Sequence, residues 1–132
     1  MPVAAVRRLA IRKASPAQLA KYFEAKLSAE LGPHNVKRLL DAETLDVVVL
    51  DVRSREGYNE GHIPGAVNIP FEELPQRLQE LSKLREIICY CWDVTCFLSA
   101  KAAYVLAKKG YRVKELIGGI AEWKKAGFPI NK

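Results

Sequence analysis

Three cysteines, Cys89, Cys91 and Cys96, fall within eight residues of one another. An odd, crowded set is a poor framework for stapling a secreted domain, because neighbouring thiols cannot tie distant segments together. The set also lacks the C-x2-C spacing of a structural zinc site, and His62 is the only histidine plausibly near it, so no metal is expected. No cofactor is implied. What remains is local thiol chemistry: nucleophilic attack, sulfur transfer or disulfide exchange.

The segment Glu86–Cys91 has the composition of a buried strand. A two-residue period puts Ile87, Cys89 and Cys91 on one side and Ile88 and Tyr90 on the other. Cys89, inside the strand, reads as a small buried hydrophobe. Cys91 is the last strand residue, and the loop Trp92, Asp93, Val94, Thr95, Cys96, Phe97 and Leu98 leads from it to a helix expected from Ser99. Amides at a helix start lack intrahelical partners and stabilise an anion. Cys91 is therefore expected to have a lowered pKa and to be the reactive thiol, its persulfide held as a phosphate is held at other helix starts. The loop contains no glycine, but Gly118-Gly119 after the next strand allows a close backbone approach. Cys96, five positions after Cys91, is either a resolving thiol that displaces sulfide to leave a disulfide, or a packed thiol. Both readings stay open.

The elements that position this loop follow from pattern. Ser15-Pro16 starts a helix over 16–30, with Leu19, Tyr22, Phe23, Leu27 and Leu31 at helical spacing. Gly32-Pro33 ends it, and a short helix over 35–42 follows. Val47-Val48-Val49-Leu50 reads as a strand covered on both faces. It ends in Asp51 and Arg53, at the sheet edge where open α/β folds place their sites, and both are read as bracing residues. A helical turn over 56–59, a strand over 67–69, a helix over 71–84 carrying Leu74, Leu78 and Leu81, a helix over 99–109, a strand over 113–116 and a helix over 120–126 complete the series. Strands separated by helices imply an α/β domain with a mainly parallel central sheet flanked by helices in three layers. Residues 1–30 form a helical extension and 31–132 the domain.

The chain has 21 Lys and Arg against 15 Asp and Glu, a formal charge of +6. The basic residues are dispersed, without zinc-finger spacing, aromatic-basic strand signature or continuous basic arm, so nucleic acid is not expected as a partner. No apolar run is long enough to span a membrane. The stretch 1–23, with Arg7, Arg8, Arg12, Lys13 and Lys21 and no acid, has some likeness to a targeting sequence, but the helical pattern after Ser15 favours folded structure and a cytoplasmic protein.

Taken in order, several motifs resemble the rhodanese-like sulfurtransferases over about residues 31–130. They are Val48–Arg53, Glu56-Gly57-Tyr58, Gly61–Pro70, the strand end Tyr90-Cys91, and Gly118-Gly119-Ile120-Ala121-Glu122-Trp123. The resemblance implies a three-layer rhodanese-like fold and a catalytic cysteine at Cys91 working in a ping-pong cycle. A small anionic or thiol donor, such as thiosulfate or mercaptopyruvate, or a protein persulfide would load it. A small thiol, a thioredoxin-like protein or another protein acceptor would unload it. It further implies that Asp51, Arg53, His62, Ser99, Gly118 and Gly119 support the site. The loop departs from the family's usual one: it is longer, lacks arginine, and carries Cys96, as in a less common subgroup with a second loop cysteine. Without arginine a dianionic donor loses its usual clamp, and Phe97 stands where phosphatases of this fold need arginine. A noncatalytic protein-binding module and a thiol redox-sensing module are the alternatives.

Overall fold

A computed structural model describes residues 13–132. Arg7, Arg8 and Arg12, and with them the first part of the expected extension, lie outside the described residues. The chain runs α1 (Pro16–Ala29), β1 (Glu30–Leu31), α2 (Pro33–Asp41), β2 (Val47–Asp51), α3 (Arg55–Glu60), β3 (Val67–Asn68), β4 (Glu86–Tyr90), α4 (Leu98–Lys108), β5 (Val113–Leu116) and α5 (Gly119–Lys125). All pairings in the sheet are parallel, in the order β1-β5-β4-β2-β3. The two apolar runs foreseen as buried strands, β2 and β4, are neighbours, with Leu50 opposite Cys89 and Asp51 opposite Tyr90.

Alternation along these strands makes two cores. Leu50, Ile87, Cys89 and Cys91 face Ala102 and Leu106 of α4 on one side. Val49, Ile88, Tyr90 and Leu116 face Val36, Ile120 and Trp123 on the other. Each fully buried aliphatic side chain contributes about 1.5–3 kcal/mol, so a one-residue slip of β4 would exchange its partners on both faces.

Three segments differ from the pattern reading. Residues 71–84 do not form an α-helix: Phe71–Gln76 and Leu78–Glu80 are 3₁₀ turns, and Pro75 lies within the first. Proline has no N–H for the α-helical ladder, and short 3₁₀ turns accommodate it. The expected face survives, since Leu74 and Leu81 are buried. Secondly, Glu30 and Leu31 leave the helix and pair with Glu115 and Leu116 as an edge strand, too short to show a period. Finally, the helix start foreseen at Ser15-Pro16 is present, closed by a capping box between Ser15 and Gln18, but none of α1 is buried. Leu19, Tyr22, Phe23 and Leu27 are all exposed.

At the C-terminal edge of the sheet Asp51 and Arg53 form a fully buried pair. The Asp51 carboxylate accepts from the Arg53 backbone N–H, from Nε at 3.0 Å and Nη2 at 2.7 Å, and from the Tyr90 hydroxyl at 2.6 Å. Arg53 Nη2 also donates to the Gly61 carbonyl. Burial opposes the arginine charge, but the Asp51 hydrogen bonds and charge outweigh it and hold the guanidinium protonated. Removing one partner of such a pair leaves the other charge buried and uncompensated. Asp51→Ala is expected to lower unfolding free energy by about 3–5 kcal/mol in urea titrations. The double variant Asp51→Leu/Arg53→Met should lose less, and equal losses would show that the ion pair is not the cause.

Candidate active site

Cys91 follows the last residue of β4, and its main chain is held before its sulfur is considered. The Ile120 amide donates to the Cys91 carbonyl and the Ala121 amide to the Trp92 carbonyl, each at 3.0 Å. Both amides lie in the first turn of α5, with no partner within that helix. The approach requires Gly119, at φ +57°, where a Cβ would stand 2.4 Å from the Cys91 carbonyl oxygen. The loop then curls back. Asp93 Oδ1 accepts from the Thr95 amide at 2.9 Å and hydroxyl at 2.6 Å, and the Cys96 amide donates to the Asp93 carbonyl.

This curl closes the loop over Cys91. Cys91 as a residue is 1% exposed, and its sulfur lies 3.5 Å from the Cys96 carbonyl that accepts its proton and 3.3 Å from Ser99 Oγ. Ser99 in turn donates to Glu115 Oε2 at 2.5 Å. Helix α4 begins at Leu98 without a side-chain cap, leaving its first amides for the thiols. The Ser99 amide favours the thiolate of Cys91, and the Trp92 and Leu98 amides favour that of Cys96.

The expectation of a lowered pKa at Cys91 is not met. Burial, then the hydrogen bond with the Cys96 thiol, push Cys91 above the ordinary thiol value, and the Ser99 contacts offset this only in part. For Cys96 burial also acts upward, but the hydrogen bond from Cys91 and the Trp92 and Leu98 amides outweigh it, so its thiol is lowered. Cys89 behaves as expected of a packed thiol: fully buried, it donates to the Ser99 and Lys114 carbonyls, and burial drives its pKa far up. All three are free thiols.

The bracing residues act around this centre. The Arg53 guanidinium lies 4.6 Å from the centre of the Trp92 ring, and the indole passes so close to Gly57 that a Cβ there would meet it at 2.7 Å. His62 does not join the thiols. Its ring stacks on Tyr58 with Nδ1 against the Tyr58 carbonyl, and its backbone pairs with Asn131 at the chain end.

Two residues that the motif reading passed over enter the site. A cavity of about 380 Å³ opens beside Cys96 and Ser99, with Glu115 and Gly118 on one wall and Lys26 of α1 on another. Glu115 carried a usable signal: a two-residue period from Val113 turns a carboxylate inward just before the glycine pair. Lys26 carried none, because only the docking of α1 beside β5 brings it there. Among the described residues no group of His, Cys, Asp or Glu could hold a metal ion, and no helix is long and apolar enough to cross a membrane.

This parallel sheet, with its cysteine loop against a glycine turn, matches the rhodanese-like domain over residues 32–126, and the chain belongs to that family. It is 37% identical over 90 residues to a sulfurtransferase of Allochromatium vinosum, an alignment covering 67% of this chain and 82% of that protein. It is 31% identical over 80 residues to the thiosulfate sulfurtransferase GlpE of Coxiella burnetii, covering 60% and 73%. An HTH-type transcriptional regulator of Mycobacterium tuberculosis is 42% identical over 90 residues, 68% of this chain but only 40% of the regulator. Among solved structures, the BH2092 protein of Bacillus halodurans superposes with a TM-score of 0.81 at 36% identity, covering 89% of this chain and 86% of that one.

Two outcomes are expected from the geometry. Iodoacetamide should modify Cys96 before Cys91, and the Cys96 rate should level off at a pH below that of an ordinary thiol, while the Cys91 rate keeps rising above it, as peptide mapping across pH would show. Gly119→Ala should cost about 2–4 kcal/mol, combining a strained positive φ with a backbone clash. A melting temperature equal to that of the parent would contradict the close approach.

Proposed function

We propose that this protein is a sulfurtransferase that carries sulfane sulfur as a persulfide on Cys91 and hands it to a thiol or protein acceptor, with Cys96 as the resolving thiol. The observation that carries the reading is the closed loop itself. Cys91 stands at the end of β4 with the Ser99 hydroxyl and amide at its sulfur and the second cysteine folded over it. The sulfurtransferases among the relatives support the activity at the level of the family.

Loading breaks the donor's bond to its sulfane sulfur and joins that sulfur to Cys91, while the donor leaves with the bonding electron pair. In unloading, an acceptor thiolate attacks the terminal sulfur and Cys91 departs as thiolate. In resolution Cys96 attacks the inner sulfur, forming the Cys91–Cys96 disulfide and expelling hydrosulfide. Proximity favours that last step, since the loop already holds the Cys96 carbonyl against the Cys91 thiol. Three free thiols suit a reducing cytoplasm.

A second reading, a thiol redox-sensing module, is favoured by one specific observation: two free cysteines are held together, with the Cys91 thiol donating to the Cys96 carbonyl at 3.5 Å. Incubation with thiosulfate, mercaptopyruvate or a protein persulfide is expected to add about 32 Da, one sulfur atom, to Cys91. Intact mass and peptide mapping read this. Cys91→Ala should abolish loading, and Cys96→Ser should keep loading but block disulfide formation during turnover. Label found only on Cys96 would reverse the two roles, and reversible disulfide formation with no sulfur turnover would establish the sensing module instead.

A further inference from the structure

The cavity beside the thiols has a charge opposite to that of the whole chain. Its walls carry one lysine, Lys26, against three carboxylates, Glu30, Asp93 and Glu115. Lys26 is engaged by Glu30 at 2.8 Å. Asp93 is turned into the loop, where Thr95 donates to it twice. Glu115 is different: it takes part in no ion pair among the described residues, and a single hydroxyl separates it from the Cys91 sulfur.

That hydroxyl couples the carboxylate to the thiol. Ser99 Oγ stands 3.3 Å from the Cys91 sulfur, where its proton would favour the sulfur anion, but that proton is committed to Glu115. A positive charge arriving at Glu115 competes for the carboxylate and frees the Ser99 proton for the sulfur anion. A negative charge arriving there meets like charge in a half-enclosed space, where screening by water is reduced. The loop offers no cation in compensation, since Trp92–Leu98 contains neither lysine nor arginine.

We infer that Glu115 is a specificity-determining residue, selecting sulfur carriers that bring an ammonium group close to their reactive sulfur, as aminothiol persulfides do, and turning away dianionic donors. The inference rests on the sulfur-transfer reading for its biological substrate, but it can be tested without sulfur transfer. Disulfide exchange uses the same approach to the same thiols: a protein thiolate attacks one sulfur of RS–SR, forming the mixed disulfide and releasing RS⁻.

The experiment measures second-order rates of loss of the reduced full-length protein, by intact mass, with three symmetrical disulfides. Cystamine is a dication, bis(2-hydroxyethyl) disulfide is neutral and 3,3′-dithiodipropionate is a dianion. At low ionic strength the expected order is dication, neutral, dianion, with about tenfold between successive probes, the scale of one unit charge acting over several ångströms at high effective dielectric. A net charge of +6 acting through the long-range field alone would give the reverse order. The spread should shrink in molar salt. Glu115→Gln should compress it to within about threefold, whereas Glu115→Asp, which keeps the charge, should preserve the order. Reactive thiols with a flat or reversed order in the unaltered protein, or a spread unchanged in Glu115→Gln, would overturn the inference and leave sulfur transfer standing. Thiols inert to all three probes would overturn both.

Discussion

The main-chain carbonyl of Cys91 accepting the Ile120 amide is the contact around which the site is arranged. It joins the end of β4 to the start of α5, two elements that leave adjacent strands, and it forms only because residue 119 has no side chain. The consequence is a separation of duties. The backbone of Cys91 is fixed by one helix start, that of α5, while the thiols are addressed by another, that of α4. A sulfur atom can then change its covalent state without its Cα losing position.

A buried polar knot holds the opposite rim. Asp51, Arg53 and Tyr90 tie the ends of β2 and β4 together, and the same guanidinium supports Trp92, the first loop residue. Buried charge is a costly way to gain stability alone. Here it fixes geometry: Arg53 reads both the strand end, through Asp51, and the start of the loop, through the indole. The bracing role that charge pattern suggests for Asp51 and Arg53 thus has a specific target, whereas His62 braces the Tyr58 turn and the chain end instead.

How much of this the sequence discloses depends on whether a feature is local. The faces of β4 follow from its two-residue period, and the start of α1 from the chemistry of Ser15 and Pro16. Pro75 was also visible, but the leucine spacing around it is compatible with both helix types, and the ring decides between them. The acidity of Cys91 does not follow from the sequence, because a helix start announces free amides and not which sulfur they meet. That depends on the Asp93–Thr95 turn, a matter of loop curvature. Glu115 and Lys26 reach the cavity from β5 and α1, far apart in the chain, and only the assembled sheet brings them together.

The cysteine loop is tethered at both ends: Cys91 and Trp92 by α5, and Leu98 by its place in α4. Between these anchors the stretch Asp93–Phe97 is knotted on itself by the Asp93–Thr95 bonds. Cys91 lies beneath this stretch, and Cys96, whose carbonyl meets its thiol, belongs to the same knotted segment. The second cysteine thus forms part of the cover over the first, and a disulfide between the two would tie that cover to the strand end beneath it.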